Sequence, residues 1–379
     1  MPPPSPAASP PYFRAMPVLT FDPRGIYCEA GDFFIDPWRP VPRALITHGH
    51  SDHARSGMGA YLATDIAAPV IRHRLGDIRL DTIAYGETRQ IGGARVSFHP
   101  AGHVPGSAQI RVEVGGEAWV VSGDYKTAPD GLSTPWEPVR CHAFISECTF
   151  GLPVFRWQPQ DAIAADLNAW WATNAAEGRF SLLGAYSLGK AQRLLHMLDP
   201  SIAPILTHGA VEGTNEVLRA QGLPLPATTR VVAGLDLKAH AGALVLCPPS
   251  ALQSAWARKF GQASTAVASG WMALRGIRRR RGTDRGFVVS DHADWPGLND
   301  AIRATGAQTV FVTHGYTAAF RRWLEEQGYD AGIVSTDYAG EEAFAEGETP
   351  ADIIDEDADA PSAPPSADGD GHPAREVAP

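Results

Sequence analysis

Apolar positions along this chain come in short runs, and their spacing divides it into successive textures. Up to about residue 150 the runs are brief, rich in β-branched and aromatic residues, and separated by Gly, Pro and Asp. That is the pattern of strands joined by turns. Phe33-Phe34-Ile35 stops at Asp36, and Ala44-Leu45-Ile46 runs straight into Thr47-His48. The segment 109–121 predicts a hairpin, because Gly115-Gly116 suits the positive φ of a tight turn between two alternating runs. Short helices are expected just after His53 and over 65–75, where Ile66, Val70 and Leu75 fall on one side. From 152 to about 281 helix and strand alternate. Helices are predicted over 161–176 (Ile163, Leu167, Trp170 and Trp171 at i, i+4, i+7 and i+8), 189–198 and 250–260. Strands are predicted over 180–185, 204–206, 243–247 and 265–268, which makes this stretch a parallel α/β unit with a domain of its own. Strands return at 287–290 and 310–313. The fold class is α/β, without a regular repeat.

Several of these strands end in side chains that bind metals. Thr47-His48-Gly49-His50-Ser51-Asp52-His53 places three imidazoles and a carboxylate directly after a buried run. His48 and His50, two apart in extended backbone, point the same way, while Asp52 and His53 fall where the chain turns and can face a second point. His103 sits in a glycine-rich turn, Asp124 follows the strand Trp119-Val120-Val121, and Glu147 ends the run from Ala143. Asp291 and His292 follow Val288-Val289-Ser290, and His314 follows Val310 to Thr313. A surface loop with chance histidines is the plain alternative, but packing does not explain so many strand ends of this kind. Imidazoles with a shared carboxylate suit zinc, and two ions about 3.5–4 Å apart would clamp both oxygens of a displacement at phosphorus. No Walker loop, GxGxxG turn or Ser-His-Asp set competes for the chemistry.

Composition changes this picture in two places. The net charge of −10 lies almost entirely in residues 346–379, where ten acidic residues face one Arg, so the rest of the chain is near −1. That tail and the proline-rich residues 1–16 are expected to be disordered. An acidic total therefore leaves a polyanionic substrate open, the more so because Arg275, Arg278, Arg279, Arg280, Arg281 and Arg285 cluster in one stretch. The four cysteines show no paired spacing, no apolar run reaches about 18 residues, and the N-terminus lacks the regions of a signal peptide. A cytoplasmic protein without a membrane span is expected.

His48-x-His50-x-Asp52-His53, then His103, then Asp124 resembles the metallo-β-lactamase signature in its full order. Glu147, Ser290-Asp291-His292-Ala293-Asp294 and Thr313-His314-Gly315 resemble motifs of its β-CASP branch, which cuts nucleic acids. Residues 184–192, from Gly184 to Gln192, resemble a helix-start signature of the cap domain. Gly31 to Pro37 and Ser290 to Trp295 are similar to bacterial DNA ligase-associated exonucleases. The resemblance implies an αβ/βα four-layer sandwich from 17–151 and 282–345, with a β-CASP cap, 152–281, inserted between. It implies a first metal on His48, His50 and His103, a second on Asp52, His53 and His314, and Asp124 bridging them. Asp52 would also serve the chemistry directly. His292, held by Glu147, would serve the leaving oxygen, and Asp36 would orient a ligand imidazole. For Asp36, a simple turn cap before Pro37 remains the rival reading.

With a cap in place, the Arg275–Arg281 stretch falls at a cap–core junction, where phosphate contacts are expected. Lys190, at a helix start after Gly189, is a further phosphate candidate. Trp157, Trp170, Trp171 and Trp271 could stack bases, though helical spacing favours a core role for Trp170. His208 repeats the Thr-His-Gly triplet of His314 but lies inside the cap and is not expected to bind metal. The implied function is a dinuclear, metal-dependent DNA exonuclease in repair, with Zn or Mn, and the resemblance implies an ATP-dependent DNA ligase and a helicase as partners. The open alternatives are an RNA-processing ribonuclease of the same branch, a small-molecule metallo-hydrolase, and an inactive binding module.

Overall fold

The computed structural model describes residues 17–280 and 282–335. The expected lead-in, the acidic tail, residues 336–345 and Arg281 lie outside the described residues. The first texture forms a six-stranded sheet in chain order: β1 (Thr20–Asp22), β2 (Gly25–Cys28), β3 (Phe33–Ile35), β4 (Ala44–Leu45), β5 (Tyr61–Thr64) and β6 (Leu80–Ile83). β1 to β3 are antiparallel and β3 to β6 parallel. A second sheet opens with the antiparallel β7 (Thr88–Ile91), β8 (Ala94–Pro100), β9 (Ala108–Val114) and β10 (Glu117–Val121), then β11 (Ala143–Cys148) parallel to β10. The β9–β10 hairpin turns on Gly115 and Gly116, whose φ values of 59° and 88° need residues without a side chain.

Side-chain alternation explains how these sheets are buried. Phe33, Ile35 and Leu45 point into a core shared with Val96, Phe98, Ile110, Val112, Val121 and Ile145 of the second sheet. Phe34, Ala44 and Ile46 point the other way, against Ala68 and Ile71 of α1 (Ala68–Leu75). A strand buried on both faces must read as a continuous apolar run, and both runs preceding the site do so. α1 begins three residues later than expected. Thr64 Oγ1 accepts from Ala67 N and holds a turn there, and Pro69 suits only the first turn of a helix. No helix follows His53. Gly59 N bonds to Val41 O, and a Cβ on Gly59 would sit 2.7 Å from Pro42 O, so the chain hugs its neighbour instead of coiling.

The alternating stretch forms a third, all-parallel sheet with α2 (Gln160–Ala176), α3 (Lys190–Met197) and α4 (Gly209–Ala220). Its strands are β12 (Ser181–Gly184), β13 (Ile205–Thr207), β14 (Thr229–Arg230), β15 (Leu244–Cys247), β16 (Ser264–Ala268) and β17 (Arg285–Phe287), in the order β14-β13-β15-β12-β16-β17. Leu183 and Leu246 pack under α2 and α3, while Leu182 and Val245 face Ala257 and Phe260. The helix expected over 250–260 is two 3₁₀ turns, Pro249–Gln253 and Ala257–Phe260, parted where Ser254 Oγ accepts from Trp256 N. The arginine-rich stretch is a short helix, α5 (Arg275–Arg280). β17 lies beyond residue 281 yet hydrogen-bonds to β16 in this sheet. It stops at Phe287, and Val288 to Ser290 cross to the second sheet, where Ala293 N meets Tyr125 O at 2.7 Å.

After α6 (Trp295–Thr305) the chain completes the second sheet with β18 (Thr309–Gly315) beside β11 and β19 (Asp330–Ile333) outermost, with α7 (Thr317–Glu326) between them. α6 and α7 cover the outer face of that sheet through Leu298, Ile302, Phe320 and Leu324. Among the described residues no helix is long and apolar enough to cross a membrane.

Candidate metal centre

The ends of β3, β4, β10, β11 and β18 bring their polar residues together. His48 Nε2 and His103 Nε2 lie 3.0 and 3.1 Å from His50 Nδ1. The three rings stand nearly perpendicular to one another, at 80–83°. What their other nitrogens touch fixes the tautomers. His50 Nε2 faces Leu188 O at 3.2 Å and His103 Nδ1 faces Asp291 O at 2.9 Å, and a carbonyl can only accept. Thr47 Oγ1 donates to Asp36 Oδ2 at 2.6 Å, so toward His48 Nδ1, 3.1 Å away, it accepts. Every inward nitrogen of the triad therefore carries a lone pair. Three lone pairs at this separation repel unless a cation lies between them, and a tetrahedral divalent ion has that need for donors.

A second set adjoins the first. Asp36, at the end of β3, accepts from Thr47 N at 2.8 Å and holds His53 Nδ1 at 2.7 Å. It acts as a brace for the loop and as an orienter of His53. His53 Nε2 then points inward, 3.4 Å from Oδ2 of both Asp52 and Asp124, and has no hydrogen-bond partner. His314 Nδ1 is likewise buried and unpaired. Unsatisfied buried nitrogens are costly, and here they lie in groups that fit a metal: His53 with Asp124 and His314, and His48 with Asp52 and His53. Asp124 Oδ2 also lies 3.5 Å from His48 and 3.7 Å from His103, so one carboxylate oxygen is shared by both sets. Asp36 and His314 adopt left-handed backbone at φ 42° and 53°, a strain of about 1–3 kcal/mol each that the surrounding packing must hold.

The electrostatics follow from burial and crowding. Burial pushes His48 and His103 well below the ordinary imidazole range and lowers His314, which keeps them neutral and able to ligate. His53 goes the other way. Burial disfavours its charge, but Asp52, Asp124 and Asp36 outweigh that and hold it well above the usual value. Asp52 falls to about 2, and Asp124 falls well below its range, because the His53 charge beside them overrides burial. Acidic groups gathered round one proton are asking for positive charge at this point, the charge a divalent ion brings.

At the rim, His292 Nδ1 meets Glu147 at 2.8 Å, and Glu147 is fixed by Tyr125 N at 2.9 Å. Asp124, Glu147 and His292 form a further group close enough to share an ion. Lys190 does not reach solvent. It is wholly buried, 3.8 Å from Asp291 and over the Tyr186 ring at 4.4 Å, so the expected phosphate contact is replaced by an internal ion pair. Trp170, Trp171 and Trp271 are core residues, whereas Trp157 is half-buried and donates to His292 O at 2.9 Å. Arg275 and Arg279 are exposed; the side chains of Arg278 and Arg280, and all of Arg281, lie outside the described residues. Arg285 pairs with Asp166. Three groups in the site escaped the sequence: the carbonyls of Leu188 and Asp291, and Arg74 from α1, which donates to Gly49 O in the metal loop. Carbonyls leave no trace in a sequence, and Arg74 reads as an ordinary helix-end cation.

No known family model matches the chain. It is 30% identical over 316 residues, 83% of its length, to a probable DNA ligase of Opitutus terrae. Over 123 residues, 32% of the chain, it is 33% identical to the endoribonuclease YSH1 of Candida albicans. Over 181 residues, 46% of the chain, it is 26% identical to cleavage and polyadenylation specificity factor 73 of Drosophila melanogaster. These matches span only 31%, 14% and 26% of the relatives' own lengths. A crystal structure of a protein of unknown function from Enterococcus faecalis shares the fold, with a TM-score of 0.53 at 10% identity, covering 78% of this chain and 79% of that one.

Proposed function

We propose that this chain is a nuclease of the metallo-β-lactamase fold, β-CASP branch, that hydrolyses phosphodiester bonds with two divalent ions, and that it acts on DNA ends in repair. The observation that carries this reading is the convergence of inward lone pairs from His48, His50 and His103, and of the buried His53 and His314 rings, around the shared Asp124. On this reading the first two sheets form the four-layer core and the third sheet is the inserted cap, with the return crossing at Val288 to Ser290.

His48, His50 and His103 would hold one ion, Asp52, His53 and His314 the other, and Asp124 both. Bound there, a pair of divalent ions supplies Lewis-acid activation of water and neutralises phosphate charge. An imidazole-rich set favours zinc, with manganese as the other choice. Asp36 keeps the His53 lone pair turned inward. Glu147 holds the His292 Nδ1 proton, so the opposite nitrogen can pass a proton to the leaving oxygen. The exposed Arg275 and Arg279 would take backbone phosphates. Partnership with a DNA ligase is supported by the long match to a protein named as a probable DNA ligase; an ATP-dependent mode and a helicase partner rest on the family resemblance alone.

The second reading, an RNA-processing ribonuclease, is favoured by the matches to YSH1 and factor 73. Digestion of matched end-labelled DNA and RNA, with and without a chelator, decides between them. Stepwise shortening of DNA that the chelator stops and zinc or manganese restores is the expected result. Preferential internal cutting of RNA would favour the second reading, and inertness toward both with metal present would overturn the nuclease assignment.

A further inference from the structure

The two halves of the cluster are braced from different parts of the molecule. His53 is held by Asp36, at the end of the neighbouring strand β3, and His48 by Thr47, in the metal loop itself. His50 and His103 are held by carbonyls 138 and 188 residues away, Leu188 O and Asp291 O. Both carbonyls are set by the start of α3. Gln192 accepts from Gly189 N at 2.7 Å and donates to Ser187 O at 2.9 Å and Asn215 Oδ1 at 2.8 Å, which locks the turn carrying Leu188. Gly189, at φ +83°, lies so close to Val104 that a Cβ there would meet Val104 Cγ1 at 2.3 Å. Val104 is the residue after His103. On the other side, Lys190 and Arg193 flank the Asp291 carboxylate at 3.8 and 3.7 Å, and Arg193 also donates to Ser290 O.

We infer that the start of α3 is a positioning device for one metal position only: its seat on the 103–104 turn orients His50 and His103, while the Asp52–His53–His314 position is set without it. This rests on the reading that the cluster holds two ions. Anything that lifts α3 from the core turns two of the three triad nitrogens away and weakens that ion selectively. By linkage, filling the triad clamps the third sheet onto the first two.

Two variants that leave every proposed ligand in place test this: Gly189→Ala, which wedges the turn away from Val104, and Gln192→Met, which removes its lock. Zinc content per chain is read by elemental analysis against a rising chelator concentration, with near-UV circular dichroism confirming the fold. The parent should hold two ions. Each variant should lose one of them at about 10–100-fold lower chelator concentration and keep the other as the parent does. In a His314→Ala background, which retains the triad, the variants should strip the remaining ion; in a His50→Ala background they should change nothing. Equal weakening of both ions, or no weakening in a folded variant, overturns the inference. A parent that binds no ion overturns the metal reading beneath it. If Gly189→Ala fails to fold, Gln192→Met still decides.

Discussion

The triplet Thr-His-Gly occurs at 207–209 and at 313–315, each time at the end of a parallel strand, and the structure uses it in opposite ways. At the end of β13 the chain continues into a helix. His208 stays extended, and its Nδ1 accepts from Ala210 N at 3.2 Å as the N-cap of α4. Thr207 donates to the buried Glu212 at 2.7 Å. At the end of β18 the backbone turns left-handed at His314 and Gly315, at φ 53° and 83°, and Gly315 lies so close to Cys148 that only glycine fits. The His314 ring is thereby thrown back toward Asp124, with its Nδ1 unpaired, and Thr313 Oγ1 has no partner. The same side chain caps the start of a helix in one place and brings a buried ring nitrogen to an acidic neighbour in the other. The residue type matters less than the turn that follows it and the groups already waiting there.

The comparison breaks if the two histidines respond alike. Asp124→Ala or His314→Ala should cut nuclease activity to below about a thousandth of the parent, with bound metal falling in parallel. His292→Ala should slow turnover by about 10²–10⁴-fold with both ions retained; loss of an ion would make His292 a ligand instead. Asp36→Asn, which leaves every proposed ligand in place, should cost about 10–100-fold in metal affinity or activity, measurable by metal titration. His208→Ala should lower stability by only about 1 kcal/mol in a denaturant melt, and activity should be untouched.

Acid sharpens the contrast. Burial lowers the His314 pKa, so as pH falls below about 6.5 the unfolded chain takes up a proton that the folded one refuses. The unfolded state then binds more protons, and stability falls on acidification. In chelator-treated protein, His314→Gln should flatten the stability–pH slope below that point. An unchanged slope would mean that this imidazole titrates freely.

The sequence read best where a strand ended in a donor. The apolar run through Ile46, the hairpin at Gly115-Gly116 and the helical spacing of Ile163, Leu167, Trp170 and Trp171 all follow from local alternation, which tertiary structure did not override. The clustering of His48, His103, Asp124 and His314 is implied by the resemblance that their order along the chain carries. What could not be read depends on partners distant in sequence. Lys190 looked like a phosphate ligand because Asp291, which neutralises it, lies in another element. The bracing of His50 by Leu188 is invisible because any residue has a carbonyl. The helix expected after His53 gave way to Gly59 packed against Val41 and Pro42, a contact that periodicity does not encode.

The pairing of β11 with β18 has a consequence for how the chain reaches this state. It joins segments so far apart that Cys148 Sγ and the His314 carbonyl, 166 residues distant, end up in contact. Closing so large a loop from an open chain is entropically costly and slow, whereas a compact insert draws the two ends together first. The third sheet, whose all-parallel ladders lie within 181–287, can collapse on its own account before that closure. The ladder so closed lies one strand in from the β19 edge of the second sheet. Glu147 and His314 come to neighbouring strand ends only through that ladder, so the candidate site depends on a closure that spans the whole third sheet.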